Sequence, residues 1–349
     1  MPDFYKIAQK VLFSLEPETA HHLTLSGANF AHQLGLLTLV TGKAPECAPV
    51  EVMGLSFPNR IGLAAGMDKS GLAVAAFGTL GFGHVEIGTI TPRAQPGNEQ
   101  PRLFRLLEHQ AIINRMGFNN PGMAVVLANL EKSRQGFKGI VGINIGKNFD
   151  TPNENALDDY LTCFRQAYSA ADYIAINLSS PNTKGLRDLQ AADTTRQLIK
   201  ALQDERKKLA KSNQGRQVPI AVKIAPDLSD PHIDELAAVF SETHIDGVIA
   251  TNTTIDRQAV TGHPLADEGG GLSGRPVTQR STEVIRRLRK NLDDKIPIIG
   301  VGGIFTAEDA QNKLDAGASL VQIYTGLIYQ GPTLIHEIIG LEKEVSPKL

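Results

Sequence analysis

Residues 297–326 read PIIGVGGIFTAEDAQNKLDAGASLVQIYTG, and the fold turns on how this stretch divides. PIIGVGGI (297–304) is a continuous apolar run holding a pair of glycines. TAEDAQNKLDAGA (306–318) has the makeup of a helix that starts on a threonine with an acid two residues later, and LVQIYTG (320–326) is apolar again. Continuous rather than alternating apolar runs suit parallel strands buried on both faces, so the stretch predicts a strand, a helix and a strand. Six more such runs lie upstream: RIGLAAG at 60–66, HVEIGTIT at 84–91, GIVGINIG at 139–146, DYIAINLS at 172–179, PIAVKIAP at 219–226 and GVIATNTT at 247–254. Helical patterns follow them, STEVIRRLRKNL at 281–292 among them. Eight strand–helix units predict an α/β protein of the (β/α)8 TIM-barrel class, with a doubly wound open sheet as the second architecture the pattern allows.

Composition bounds the function. The chain has 349 residues, 42% hydrophobic and 21% charged, enough to bury a sizeable core. A formal net charge of −2, with no long Lys/Arg block, argues against a nucleic-acid partner. Cys47 and Cys163, the two cysteines, cannot make a disulfide framework or a metal ligand set, so no metal is expected. The beginning, MPDFYKIAQKVLFSLEPETA, carries acids early and lacks a cleavage site, so no signal peptide is expected, and no stretch approaches membrane-spanning length.

Active sites of this fold gather at the C-terminal ends of the strands, and polar residues gather at those ends here. Asp68 and Lys69 follow strand one, Thr89 is in strand two, Asn144 in three, Asn177 with Ser179 and Ser180 at four, Lys223 in five, and Thr251, Asn252 and Thr253 end six. GVGGI after strand seven, YTG after strand eight and GGGLSG at 269–274 supply glycine amides for an anion, as the phosphate cradle of this fold requires. The other reading of such glycines is an ordinary tight turn. Asn114, Asn144, Asn177, Asn182 and Asn252 each offer donors and an acceptor, and as a set they call for a ligand of alternating C=O and N–H, such as a pyrimidine or a flavin edge. Taken singly, each could cap a turn. Lys69, Arg115 and Lys223 have few acids near them in sequence and call for an anion. Asp68 either pairs with Lys69 or caps the helix that begins near Ser70.

Ser180 lies in AINLSSPNT (175–183), without the nucleophile elbow of a hydrolase. It could take a proton where the bond being broken also delivers a hydride to a strong acceptor; otherwise the serines open a turn at Pro181.

Together AAGMDKSG, EIGTITPRAQPGNEQPRLFRL, INRMGFNN, GINIGKN, AINLSSPNT, VKIAPDLS, GVIATNTT, GGLSGRP, GVGGI and YTGLIYQGP resemble a dihydroorotate dehydrogenase of the quinone-dependent class, from about Phe4 to Ile339. The resemblance implies an FMN-containing barrel that oxidises dihydroorotate to orotate in pyrimidine synthesis and passes the electrons to a quinone. It implies that Ala64, Ala65, Gly66, Met67, Asp68, Thr89, Asn144, Asn177, Lys223 and Thr251 approach the flavin, with Gly274, Gly303, Tyr324 and Thr325 on its phosphate side. Substrate would meet Lys69, Asn114, Arg115, Met116, Gly117, Phe118, Asn177, Asn182, Asn252 and Thr253. Ser180 matches the family's catalytic base, removing the C5 proton while the C6 hydrogen moves to flavin N5; relatives that use other electron acceptors carry a cysteine there.

Residues 1–42 read as two short helices before a barrel domain at 43–349. Phe4, Ile7, Val11 and Leu12 are apolar on the first helix, Leu23, Leu25, Phe30, Leu34 and Leu37 on the second, with Pro17 suited to a first turn. The pair either packs on the barrel wall or meets a membrane. The resemblance implies a quinone tunnel and membrane foot, lined by His21, Arg105 and Tyr324, at the cytoplasmic face of a bacterial inner membrane. Two other functions stay open on the residues alone: a phosphate-binding barrel lyase with Lys223 as Schiff base, and a binding barrel without turnover.

Overall fold

The computed structural model of the chain describes residues 4–183 and 185–345. Eight short strands, Ile61–Leu63, His84–Ile90, Ile140–Ile145, Tyr173–Asn177, Ile220–Ile224, Gly247–Ala250, Ile298–Val301 and Leu320–Ile323, close into one barrel in chain order. Every neighbouring pair is parallel, and the eighth returns to the first through Val321 opposite Ile61. All eight runs read as strands in the sequence form these strands, and the open-sheet alternative falls away. Apart from the partly buried Ile140, each strand residue is buried, because helices cover the outside while side chains fill the inside. The helix expected over 306–318 spans Ala307–Asp315. Thr306 caps it, accepting from the Asp309 amide while Asp309 accepts from the Thr306 amide.

The two mouths of the barrel differ. A hairpin of Val50–Val52 and Leu55–Phe57 plugs the N-terminal mouth, driving Phe57 edge-on against the buried His84 ring at 5.3 Å between centroids. Over the C-terminal mouth lies an antiparallel sheet of Leu103–Leu106, Ala111–Asn114 and Gly271–Gly274. GGGLSG thus belongs to a strand as well as a loop. Glycine is required at 271 because a Cβ would stand 2.0 Å from Thr253 Oγ1.

Two helices were expected before the barrel, and α1 (Phe4–Ser14) and α2 (Pro17–Gln33) are there, followed by a short α3 (Leu37–Thr41). Pro17 sits in the first turn of α2, where the Glu16 carboxylate accepts from the Thr19 amide at 2.8 Å. Helix α1 docks through Tyr5 and Gln9 onto the carbonyls of Leu327, Ile328 and Tyr329, just after the eighth strand. That leaves Ile7, Val11, Leu23, Phe30, Leu34, Leu36 and Leu39 exposed. The Phe4 side chain falls outside the described residues. Among those described, no helix is long and apolar enough to cross a membrane.

Candidate active site

A cleft at the C-terminal mouth encloses about 1010 Å³ of atom-free space, its open side included. Ala64, Ala65 and Gly66 after strand one, Thr89 of strand two, Asn177 and Ser180 of strand four and its loop, Lys223 of strand five and Thr251, Asn252 and Thr253 after strand six line it. Among the described residues no Asp or Glu lines it, while Lys69 and Lys223 do. The ligand it suits is therefore anionic or becomes so.

Its amides are linked from below. Glu86, fully buried in the second strand, accepts from Asn144 Nδ2 at 2.8 Å, Tyr173 Oη at 2.8 Å and Gln322 Nε2 at 2.9 Å. Asn144 Oδ1 in turn accepts from Thr89 Oγ1 at 2.5 Å and Asn177 Nδ2 at 3.2 Å. Asn177 Oδ1 accepts from the Ser179 amide and from Asn252 Nδ2. Buried polar groups need partners, yet Thr253 Oγ1, Asn182 Oδ1 and Gln322 Oε1 border the cleft with none among the described residues. One is a potential donor and two are acceptors, which fits a flat ligand carrying both C=O and N–H groups.

At the far end, Gly302 and Gly303 follow strand seven with φ of +123° and +70°, and Gly274 ends its strand at +99°. A Cβ at Gly303 would lie 2.1 Å from Thr278 Oγ1, so the loop tolerates only glycine there. Thr325 Oγ1 donates to Ser273 Oγ at 2.8 Å beside it, and the hydroxyl of the half-buried Tyr324 is pushed up to about 12 by desolvation. This corner has the glycine backbone and hydroxyls that an anion cradle at the strand-seven and strand-eight loops would require.

Ser180 is 6% exposed and faces the cleft, its Oγ accepting from the Asn182 amide at 3.3 Å. Asn182 Nδ2 reaches Asn114 Oδ1 at 3.2 Å, tying the serine loop to the antiparallel sheet. Burial lowers the Lys223 ammonium from its ordinary range, an effect Glu86 opposes. Lys69 falls to about 8, chiefly by desolvation, with Arg102 adding to the fall and Glu18 opposing it. Glu18 comes from α2. Its carboxylate, held below the usual range first by Arg102, accepts from Arg102 Nη2 at 2.6 Å, Arg102 Nε at 3.0 Å and Gln100 Nε2 at 2.8 Å. His21, on α2, is driven down to about 3 by burial and then by the charge of Lys69.

The residues expected to hold a cofactor mostly line the cleft: Ala64, Ala65, Gly66, Thr89, Asn177, Lys223, Thr251, Gly274, Gly303, Tyr324 and Thr325. So do Lys69, Asn114, Met116, Gly117, Phe118, Asn182, Asn252 and Thr253, expected at substrate. Four others stand off its wall. Asp68 spends its carboxylate on the Leu72 and Ala73 amides, holding the turn after strand one; it neither pairs with Lys69 nor caps a helix near Ser70, because the next helix starts only at Val74. Met67 packs in the main core and Asn144 sits a layer down against Glu86. Arg115 finds its anion inside the chain, bonding Glu268 at 2.6 Å and stacking on Phe104, because the fold brings in an acid 153 positions away. Arg105 donates to the carbonyls of Phe13, Leu15 and Leu12 and borders a separate groove beside α1. Sequence reading missed Glu86 and the Glu18–Arg102 pair. The signal for Glu86 was an acid amid the apolar run HVEIGTIT; the pair left none. Among the described residues no three His, Cys, Asp or Glu side chains are grouped to hold a metal.

A family model described as dihydroorotate dehydrogenase matches residues 47–345. The dihydroorotate dehydrogenase (quinone) of Akkermansia muciniphila is 56% identical over 346 residues, 99% of each chain, and that of Chromobacterium violaceum 57% identical over 333 residues, 95% of this chain and 96% of its own. The structure of DHODH in complex with ferulenol from Eimeria tenella superposes with a TM-score of 0.79 at 42% identity, covering 89% of each chain. With the barrel, the cleft and these relatives in agreement, the chain belongs to the dihydroorotate dehydrogenase family, in its quinone-dependent branch, and is an enzyme of that class.

Proposed function

We propose that the enzyme binds FMN in the C-terminal cleft, oxidises (S)-dihydroorotate to orotate with Ser180 as base, and returns the electrons to a membrane quinone, as a step of pyrimidine synthesis. One observation carries this reading: Ser180, Lys69 and Lys223 meet in a cleft without carboxylates whose unpaired atoms demand a ligand with both C=O and N–H groups. The glycine amides at 274 and 302–303, with Tyr324 and Thr325, would hold a phosphate, and Ala64–Gly66, Thr89, Asn177, Lys223 and Thr251 a flat ring. Bound there, FMN supplies the acceptor, at N5, for the hydride that leaves C6 of the substrate.

The chain's own residues do the rest. Lys69 holds the substrate carboxylate, and Asn114, Asn177, Asn182 and Asn252 read the pyrimidine edge. Ser180 Oγ takes the C5 proton. A hydroxyl is a weak base, so its own proton must be passed on at once to water or a neighbouring group, and the loop that carries it keeps Ser180 only 6% exposed at the cleft wall. Lys223 places a positive charge where negative charge arrives. Met67, Asp68, Asn144 and Arg115 support from behind, Asp68 by holding the turn after strand one.

The N-terminal segment, residues 1–42, serves as the quinone-access and membrane-binding unit. Supporting this are the exposed side chains of α1, α2 and α3, each contributing up to about 1.5–3 kcal/mol on full insertion, which suits a peripheral attachment at the cytoplasmic side of a bacterial inner membrane. Tyr324 lines the cleft and His21 on α2 feels the charge of Lys69; both would line the quinone path, with Arg105 holding the α1–α2 turn from outside it. The test is dihydroorotate-dependent reduction of a quinone, run beside fumarate and NAD. Quinone should be preferred; preference for fumarate or NAD, or a protein that binds no FMN, would overturn the reading.

A further inference from the structure

Glu86 has no part in the steps above, yet it governs the hydrogen bonds beneath them. A carboxylate only accepts, so Asn144 must present its NH2 to Glu86 and its Oδ1 to the other side. That oxygen accepts from Thr89 and Asn177, which leaves Asn177 Oδ1 to accept from the amide and hydroxyl of Ser179 and from Asn252 Nδ2. The direction of each amide between the barrel axis and the loop of Ser180 is thus set by one buried charge. A glutamine or an apolar side chain would fill the same space without setting it. Lys223, in register with Asn177 on the fifth strand, lines the same cleft as Gln322, which donates to the Glu86 carboxylate at 2.9 Å.

We propose that Glu86 is a positioning residue for the reaction: it orients the Asn144–Asn177–Asn252 relay and serves as the anion for Lys223 inside the barrel. The inference rests on the function proposed above. The titratable groups around it are few. Tyr173 donates to Glu86 and is raised well above its ordinary range by burial and by that charge, while Lys69 and Tyr324 stand on the cleft wall. Burial pulls the Lys223 ammonium toward its neutral form and Glu86 pulls it back.

The test compares the holoenzyme with Glu86→Gln, Glu86→Asp and Tyr173→Phe. The ionisation of Lys223 is followed by NMR of 13Cε-labelled lysine, and the flavin midpoint potential is followed against pH. Glu86→Gln should weaken the proton affinity of Lys223 at least threefold and move the matching inflection in the potential curve, whereas Glu86→Asp and Tyr173→Phe, which keep the charge, should stay within threefold of wild type. A smaller change in Glu86→Gln, or an equal one in Tyr173→Phe, overturns the inference. If Glu86→Gln does not fold, Glu86→Gln/Lys223→Met decides: recovery of folded protein supports the pairing and continued failure overturns it. Wild-type protein that takes up no FMN counts against the proposed function instead, and the lysine titration, which needs no flavin, still judges Glu86.

Discussion

Glu18→Gln should damage the substrate site from a helix outside the barrel. Glu18 and Arg102 are 4% and 9% exposed in their side chains, and the Glu18 carboxylate is the main charge holding up the Lys69 ammonium, which already lies at about 8. Lys69 is lowered in the folded protein, so its charged form is lost as pH rises through that value. In wild type, kcat/KM for dihydroorotate should therefore fall on the alkaline side of about 8, by roughly tenfold at pH 9. Removing a facing opposite charge lowers a neighbouring ammonium by about one unit or more. A one-unit fall leaves about one lysine in eleven charged at pH 8 instead of one in two, a loss of about fivefold in kcat/KM, while at pH 6 the two enzymes differ by less than about 10%. The same variant leaves Arg102 buried without its anion, at about 3–5 kcal/mol, and should loosen α2. Initial rates from pH 6 to 9 with dye-coupled reduction measure the first effect and thermal unfolding the second. An alkaline limb that stays in place in Glu18→Gln would refute the coupling between α2 and Lys69.

Three further outcomes follow from single residues. His84 is buried with both ring nitrogens unpartnered in the protein and its imidazole driven down to about 3, so the fold favours the neutral form: stability is whole above pH 6.5 and drains as pH falls from there towards 3, and His84→Phe should abolish that acid sensitivity, worth up to about 1.4 kcal/mol per pH unit in melts between pH 4 and 7. Gly303→Ala places a Cβ against Thr278 at a left-handed backbone position, which costs about 1–2 kcal/mol before any clash, so FMN retention on gel filtration should fall by tenfold or more. Phe30→Glu with Leu39→Glu removes two side chains exposed by 63% and 80%, and binding to vesicles of anionic lipid in sedimentation assays should drop without change in flavin content.

The barrel was legible because burial on both faces writes each strand as an unbroken apolar run, and that pattern needs no knowledge of partners. Cleft residues such as Thr89, Asn177, Lys223 and Thr251 were legible for the same reason, since they stand at the ends of those runs, whereas Met116, Gly117 and Phe118 came only from the family resemblance. What could not be read is what the fold joins across long separations. Gly271–Gly274 forms a strand only because Ala111–Asn114 lies alongside, and four residues with two glycines carry little strand propensity of their own. Arg115 and Glu268, or Glu18 and Arg102, meet through such closures and leave no local trace. Asp68 showed a nearer miss: its bonds are local, as both readings expected, but they hold a turn through Leu72 and Ala73 because the helix starts only at Val74. Glu86 was visible as an acid within an apolar strand, and only its three donors give it meaning.

The most direct test of the central claim is rapid anaerobic mixing of the FMN-loaded enzyme with dihydroorotate, in wild type and in Ser180→Ala, followed at the flavin absorbance. Ser180→Ala should bind FMN as wild type does and reduce it about 10²–10⁴-fold more slowly. Equal rates of bleaching in the two proteins would contradict the assignment of Ser180 as the base and, with it, the reading of the cleft.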